Sequence, residues 1–450
     1  MSRRNIRKFS PAFAIVLFLG EVYHRFYYRK FKVLNREKVP DKSPVIFIIN
    51  HQNALMDALA LIFAARRQIV FMARADIFRK KFIASLLYFI KILPVYRIRD
   101  GFRSVDQNRE VFEEVVAVLD YKNPVAILPE GNHLGEKRLR LPLRKGAARI
   151  ALQAEAANQF RLGLQVVPVG LDYTNYYNAG SDLLVVFGDP VMAKAYSDLY
   201  QTNPALAINQ FTDDMADALR KVMIDIQPAG HYNTIHEAIK MYSAAILKEK
   251  GLKPSLKNSF ITQKELAEKF AHRAGSTEPE MLALESKLAS YKDLLDKNRI
   301  RDRQVAAKNI GLPGFVLKAL LLLILFPVHI VGMALNYIPY YLPVYLSRNI
   351  KDLHFLSSVR FGAGFFTFGI WYLIMLIISF FIFENKILIP AFMVSLPFAG
   401  IFSFYYYRQM KKFQAEMRWL KIRFRRPMEY KGLLKIRGEI IEMIRNLVNV

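Results

Sequence analysis

The chain has 450 residues, 53% of them hydrophobic, and a mean hydropathy of +0.13, which is too apolar for an ordinary soluble domain. Its 65 Lys and Arg against 38 Asp and Glu leave a net charge of +27, which calls for an anionic partner; 34 Phe and 23 Tyr beside long uncharged runs favour anionic phospholipid headgroups over nucleic acid. No cysteine is present, so disulfides, thiolate metal sites and a cysteine nucleophile are excluded.

The first 34 residues begin with Arg3, Arg4, Arg7 and Lys8 and continue into a short apolar stretch from Phe9 to Gly20. The stretch ends in charged and aromatic residues without a small-residue cleavage site and is too short to span a bilayer. It therefore reads as an uncleaved amphipathic membrane anchor.

Residues 35–250 alternate short apolar runs with helical patterns. The runs 44–49, 69–72, 125–128, 166–169 and 183–187 are almost uninterrupted by polar residues, as strands covered on both faces are. Helix patterns between them, at 105–119 and 145–158, predict an α/β fold with a mixed, mostly parallel sheet flanked by helices.

Residues 251–312 turn polar and rich in Lys, Glu, Ala and Leu, and read as a solvated helical linker. Three uncharged stretches follow within 313–407, at 319–345, 365–383 and 387–407, each long enough to consider as membrane-inserted. The last two, joined by Glu384-Asn385-Lys386, read as a transmembrane hairpin over 365–407. Residues 408–450 carry 12 Lys and Arg against 4 Glu, which by the positive-inside rule makes the tail cytoplasmic. If the catalytic region shares that face, the stretch 319–345 enters and leaves on one side. Pro327, Pro339 and Pro343 supply breaks for a re-entrant pair of half-helices, although a single kinked span is the commoner structure.

Four short motifs carry candidate chemistry. Asn50-His51 follows the strand that ends at Ile49, where open α/β sheets place their sites, and Asp57 comes six residues later. Six residues advance about 240° net on a helix, so His51 is expected in the loop before it. An aspartate there can hold one ring nitrogen and leave the other to accept a proton from a hydroxyl. On these residues alone, a helix-capping histidine with an unrelated aspartate is as good a reading. Leu128-Pro129-Glu130-Gly131-Asn132-His133 ends another strand and leads into Lys137, Arg138, Arg140, Arg144 and Lys145, a basic run suited to phosphate. Arg97 lies just past Ile92-Leu93-Pro94-Val95, where it could clamp a phosphate or be an exposed charge. Val167-Pro168 lies in a run that suits either an apolar groove or a core strand.

The order of the four, Asn-His with Asp, then Arg, then Pro-Glu-Gly, then Val-Pro, resembles the phospholipid/glycerol acyltransferase family of lysophosphatidate and glycerol-3-phosphate acyltransferases, over about residues 35–250. The resemblance implies O-acyl transfer from acyl-CoA or acyl-carrier-protein, acting as co-substrate with no other cofactor and no metal, to 1-acylglycerol-3-phosphate. Glycerol 3-phosphate or another lysolipid is the alternative acceptor. It also implies roles: His51 as general base, Asp57 as its orienting carboxylate, Arg97 on the acceptor phosphate, Glu130 and Gly131 positioning the acceptor, and Val167 and Pro168 in the acyl-binding region. Two departures stand out. Five residues separate His51 from Asp57 where the family usually has four, and Asn132-His133 replaces the usual Thr-Arg or Thr-Ser. Arg138, Arg144 or Lys145 could bind the phosphate in place of that pair.

No nucleophile elbow, Walker loop or dinucleotide fingerprint occurs, which leaves hydrolase, nucleotidase and dehydrogenase readings without support. A noncatalytic membrane scaffold or lipid-binding protein would need none of His51, Asp57, Arg97 and Glu130.

Overall fold

The computed structural model describes residues 6, 8, 10–95, 104–133, 135–273, 278–307 and 310–449, in two compact units. Unit 1 holds residues 1–225 together with 351–358, and unit 2 holds 226–350 and 359–450. Arg97 lies outside the described residues.

Unit 1 opens with helix α1 (Pro11–Tyr27), capped by the Ser10 hydroxyl, which accepts the Phe13 N–H. Ile15, Phe18, Leu19, Val22 and Phe26 stay exposed along it. Strand β1 (Lys30–Leu34) follows, then β2 (Val45–Ile49), α2 (Ala54–Ala65), β3 (Val70–Arg74), α3 (Lys81–Phe89), β4 (Ile92–Val95), α4 (Ser104–Asp120) and β5 (Val125–Ile127). The unit continues through α5 (Gly146–Ala157), β6 (Gln165–Tyr173), β7 (Asp182–Phe187), β8 (Val191–Met192), α6 (Ser197–Thr202) and α7 (Pro204–Val222).

The strands form one sheet in the order β1-β7-β6-β2-β5-β3-β4, with β8 on β6. The block β6-β2-β5-β3-β4 is parallel throughout, and β7 runs antiparallel to β6. The continuous apolar runs are the strands expected of them: every residue of β2 and β7 is buried, as central strands with helices on both faces must be. Since the parallel strands share a direction, β2 and β5 deliver the segments after Ile49 and Ile127 to the same edge of the sheet.

Unit 2 contains α8 (Tyr232–Glu249), α9 (Leu256–Arg273), α10 (Glu278–Lys297), α11 (Asp302–Ala306), α12 (Leu312–Leu346), most of α13 (Leu356–Ile382), α14 (Leu388–Arg425) and α15 (Pro427–Asn449). The basic tail folds back on the polar helices. Arg437 pairs with Asp302 at 2.7 Å, Arg445 with Glu249 at 2.9 Å, and Asn298 donates to Glu429 at 2.7 Å.

Three helices, α12, α14 and the stretch containing α13, are long and apolar enough to cross a membrane. The expected pair of half-helices is not formed, because α12 runs unbroken through Pro327, Pro339 and Pro343. A proline inside a helix leaves the carbonyl four residues earlier without its N–H donor. Pro339 thereby frees Leu335, whose carbonyl accepts the Trp371 indole N–H at 2.8 Å, and Pro343 frees Pro339, whose carbonyl lies 3.4 Å from the Thr367 hydroxyl. At Leu335 a donor from α13 thus replaces the missing one. Against α14, Gly332 lets the backbones approach: a β-carbon there would lie 2.4 Å from the Ala399 carbonyl oxygen. Asn336 and Ser403 fill the same seam, with Asn336 donating to the Leu396 carbonyl at 3.2 Å and Ser403 2.6 Å from the His329 ring.

Candidate active site

At the edge where β2 ends, the chain leaves the sheet as a loop, residues 50–53, and enters α2. Asn50 anchors it: its side chain donates to the Leu171 carbonyl at 3.1 Å and accepts the Leu171 N–H at 2.7 Å, which extends the β2–β6 pairing by one residue. His51 sits in this loop and Asp57 in the first turn of α2, at 0% exposure. Oδ2 of Asp57 accepts the backbone N–H groups of Gln52 at 2.8 Å and Asn53 at 2.7 Å, and Oδ1 accepts the Tyr173 hydroxyl at 2.8 Å.

Nδ1 of His51 lies 2.9 Å from Asp57 Oδ2. Because the carboxylate can only accept, the ring proton belongs on Nδ1 and the lone pair on Nε2. Nε2 makes no hydrogen bond among the described residues, and the side chain is 17% exposed. This is the arrangement of a general base aimed at open space. The Tyr173 phenol is buried beside Asp57, and burial together with that charge pushes its pKa far up, so it remains a donor.

Glu130, after β5, is 2% exposed and braces the base. One oxygen accepts the His51 N–H at 2.6 Å and the other the Arg140 N–H at 3.0 Å. With both oxygens engaged by backbone N–H groups, Glu130 holds the loop that carries the base. Gly131, at φ +71°, makes the turn that directs Glu130 inward, and the Arg144 chain lies over it.

Burial raises the Glu130 carboxyl from 4.5 to about 7, against the pull of its two N–H donors. The folded chain therefore holds a proton that the unfolded chain releases between these values, so this group's contribution to stability falls as pH rises from 4.5 to about 7. Glu130→Gln should remove that slope from a plot of thermal midpoint against pH. Its amide has one acceptor oxygen, so one buried N–H, of His51 or of Arg140, loses its partner at a cost of about 1–3 kcal/mol. We expect a lowered midpoint below about pH 5, a difference that shrinks as pH rises towards about 7 and the wild type loses its own contribution, and a fall in activity of about tenfold or more.

The basic run is tied down at several points. Lys137 pairs with Asp172, Arg138 with Glu136 at 3.0 Å, and the Leu139 N–H donates to Asp225 at 2.9 Å. Gln52 joins it to the histidine loop, donating to the Arg138 carbonyl at 3.3 Å and accepting the Glu136 N–H at 3.1 Å. Arg144 and Lys145 are exposed and have no ion-pair partner among the described residues, which leaves them available to an anion. Val167 and Pro168 are in the middle of β6, buried between β2 and β7. They belong to the sheet core. Their apolar run is what a central strand requires, so it carried no separate message about a ligand.

Sequence reasoning missed the supports of the dyad, Asn50, Gln52 and Tyr173, and the segment 351–358. The latter places Asp352 at His133, with Nε2 to Oδ2 3.3 Å, and stands Phe355 against the same ring. The Ser357 hydroxyl donates to Asn53 Oδ1 at 2.6 Å, and the Leu55 N–H to Ser358 Oγ at 3.2 Å. Among the described residues no cluster of three metal-ligating side chains occurs.

Residues 30–172 match the family model described as Acyltransferase. The chain is similar to a solved 1-acyl-sn-glycerophosphate acyltransferase, PlsC, from Thermotoga maritima, with 18% identity over 49% of this chain and 83% of that one, at a TM-score of 0.34. A search of curated proteins gave no match. His51, Asp57 and Glu130 thus all lie within the segment that matches the Acyltransferase model.

Proposed function

We propose that the chain is a membrane-bound O-acyltransferase that transfers a fatty acyl group from acyl-CoA or acyl-carrier-protein to the free hydroxyl of 1-acylglycerol-3-phosphate. Glycerol 3-phosphate or another lysolipid is the alternative acceptor. The observation that carries this reading is the His51–Asp57 pair, with Nδ1 2.9 Å from the carboxylate oxygen that accepts its N–H and Nε2 unengaged. Nε2 takes the acceptor hydroxyl proton as its oxygen attacks the thioester carbonyl carbon. The tetrahedral intermediate collapses with cleavage of the C–S bond, and the proton passes from His51 to the departing thiolate. The thioester supplies the activation, so the reaction calls for neither metal nor further cofactor. Arg144 and Lys145 are the unpaired cations for the acceptor phosphate, with Arg97 as a further candidate. A noncatalytic scaffold would have no use for a carboxylate held by three donors behind a histidine.

Multi-pass membrane attachment fits the three apolar helices and the exposed apolar side of α1, and the 12 Lys and Arg against 4 Glu after Tyr407 favour a cytoplasmic tail. Anionic headgroups are the matching surface. A reporter fused after Val450 should read cytoplasmic; a signal from the opposite side would overturn this orientation. The reaction itself is tested with membranes carrying the wild-type chain or His51→Ala, supplied with labelled acyl-CoA and a panel of acceptors. Equal product from both would sink the assignment of the base, and the wild-type products rank the acceptors.

A further inference from the structure

Residues 351–358 are separated from the Glu130 motif by more than two hundred residues of chain, yet they belong to the catalytic unit and are fitted to it. At Gly135, φ is +66° and a β-carbon would lie 2.4 Å from His354 Cε1, so the seat for this strap requires glycine. Within the strap, Asp352 Oδ1 accepts the His354 N–H at 3.0 Å, which turns Oδ2 towards His133. His133 in turn stands perpendicular to the base, with ring centroids 5.3 Å apart and planes at 86°.

As the Asp352 carboxylate only accepts, the His133 proton lies on Nε2 and the lone pair on Nδ1. Among the described residues Nδ1 makes no hydrogen bond. The groups facing this ring are His51 from the β2 loop, and Asp352, His354 and Phe355 from the strap. Burial and the two imidazoles oppose a charge on His133, Asp352 favours one, and in the unliganded chain burial prevails, holding its pKa below the ordinary value. An anion at Nδ1 would reverse that balance. Lys137 and Arg138 are already paired with carboxylates, so neither brings a spare charge to the site.

We propose that His133 is a phosphate ligand of the acceptor site, and that Asp352 prepares it to take up a proton when a phosphomonoester binds. This rests on the glycerol-phosphate reading above. A hydroxyl at His51 and a phosphate oxygen at His133 are separated by a few bonds of a glycerol backbone, on the order of 5 Å. The strap thereby supplies recognition, and the cation appears only with its ligand.

Proton-linked binding tests this without relying on turnover. The full chain in detergent micelles is titrated calorimetrically with glycerol 3-phosphate at about pH 7.5, in two buffers of different ionisation enthalpy, where the ligand is already a dianion. The wild type should take up about one proton per ligand bound. His133→Arg, with a fixed charge, should bind with no uptake, and His133→Gln should bind about tenfold or more weakly, also with none. Asp352→Asn should reduce both uptake and affinity, and Asp352→Glu should restore them. Undiminished uptake in His133→Gln, or no binding of glycerol 3-phosphate by the wild type, would overturn the proposal. His51→Ala should keep the uptake while losing acyl transfer. If it instead keeps full transfer, the base assignment falls and the His133 result stands on its own.

Discussion

Replacing His51 with alanine lowers kcat for acyl transfer by about 10²- to 10⁴-fold, the usual worth of a positioned general base. The acceptor hydroxyl is a poor nucleophile until its proton has somewhere to go, and Nε2 of His51 is the lone pair the structure leaves open for it. Loss of the ring affects the chemical step, so acceptor KM should change far less than kcat. Stability should be nearly untouched. The loop is held by Asn50 to Leu171 and by the His51 backbone N–H to Glu130, and alanine keeps both. A single-turnover assay with labelled thioester reads the chemical step directly; a kcat within a few-fold of wild type would remove His51 from the mechanism.

Asp57→Asn is expected to cost about 10³- to 10⁴-fold in kcat, for a different reason. Asparagine has nearly the same shape, yet one of its two terminal atoms is a donor. At present three donors converge on one oxygen, from His51, Gln52 and Asn53, and a fourth, from Tyr173, reaches the other. With the amide oxygen towards the loop, its NH2 faces the Tyr173 hydroxyl. With the amide reversed, NH2 faces two backbone N–H groups and the histidine, which would have to move its proton to Nε2 and cease to be a base. Either orientation leaves a buried donor unsatisfied, at about 1–3 kcal/mol. The thermal midpoint should therefore drop together with kcat. That joint loss separates this variant from His51→Ala, and a normal midpoint with a normal rate would show that the carboxylate is dispensable.

The parts of the site legible in the sequence were those built from neighbours in the chain. His51 and Asp57 are six residues apart, and the apolar runs before His51 and Glu130 revealed that both follow strands. Parallel pairing of β2 with β5 then brings the two motifs together. Glu130 was recognised as special, but its motif reveals only the turn and cannot reveal that two backbone N–H groups reach its oxygens. Val167 and Pro168 carried two readings in the sequence. A central strand and an apolar pocket wall use the same residues, and only pairing on both sides distinguishes them. The strap could not have been read at all. Asp352 and His354 lie between two apolar helices and Ser357 in the first turn of the second, with no motif of their own, and their relation to His133 and Asn53 exists only in the folded chain.

The unbroken course of α12 has a consequence for how the chain is made. Its Leu335 carbonyl is completed by Trp371, and the carbonyl of Pro339 lies against Thr367, side chains that leave the ribosome some thirty residues later. In hydrocarbon an unpaired carbonyl costs several kcal/mol, and no water is at hand to relieve it. The first apolar helix to be synthesised thus reaches its resting state only when the second arrives beside it. On the multi-pass reading proposed above, insertion would for this reason be a joint event, with α12 settling in the lipid only once α13 has been delivered beside it.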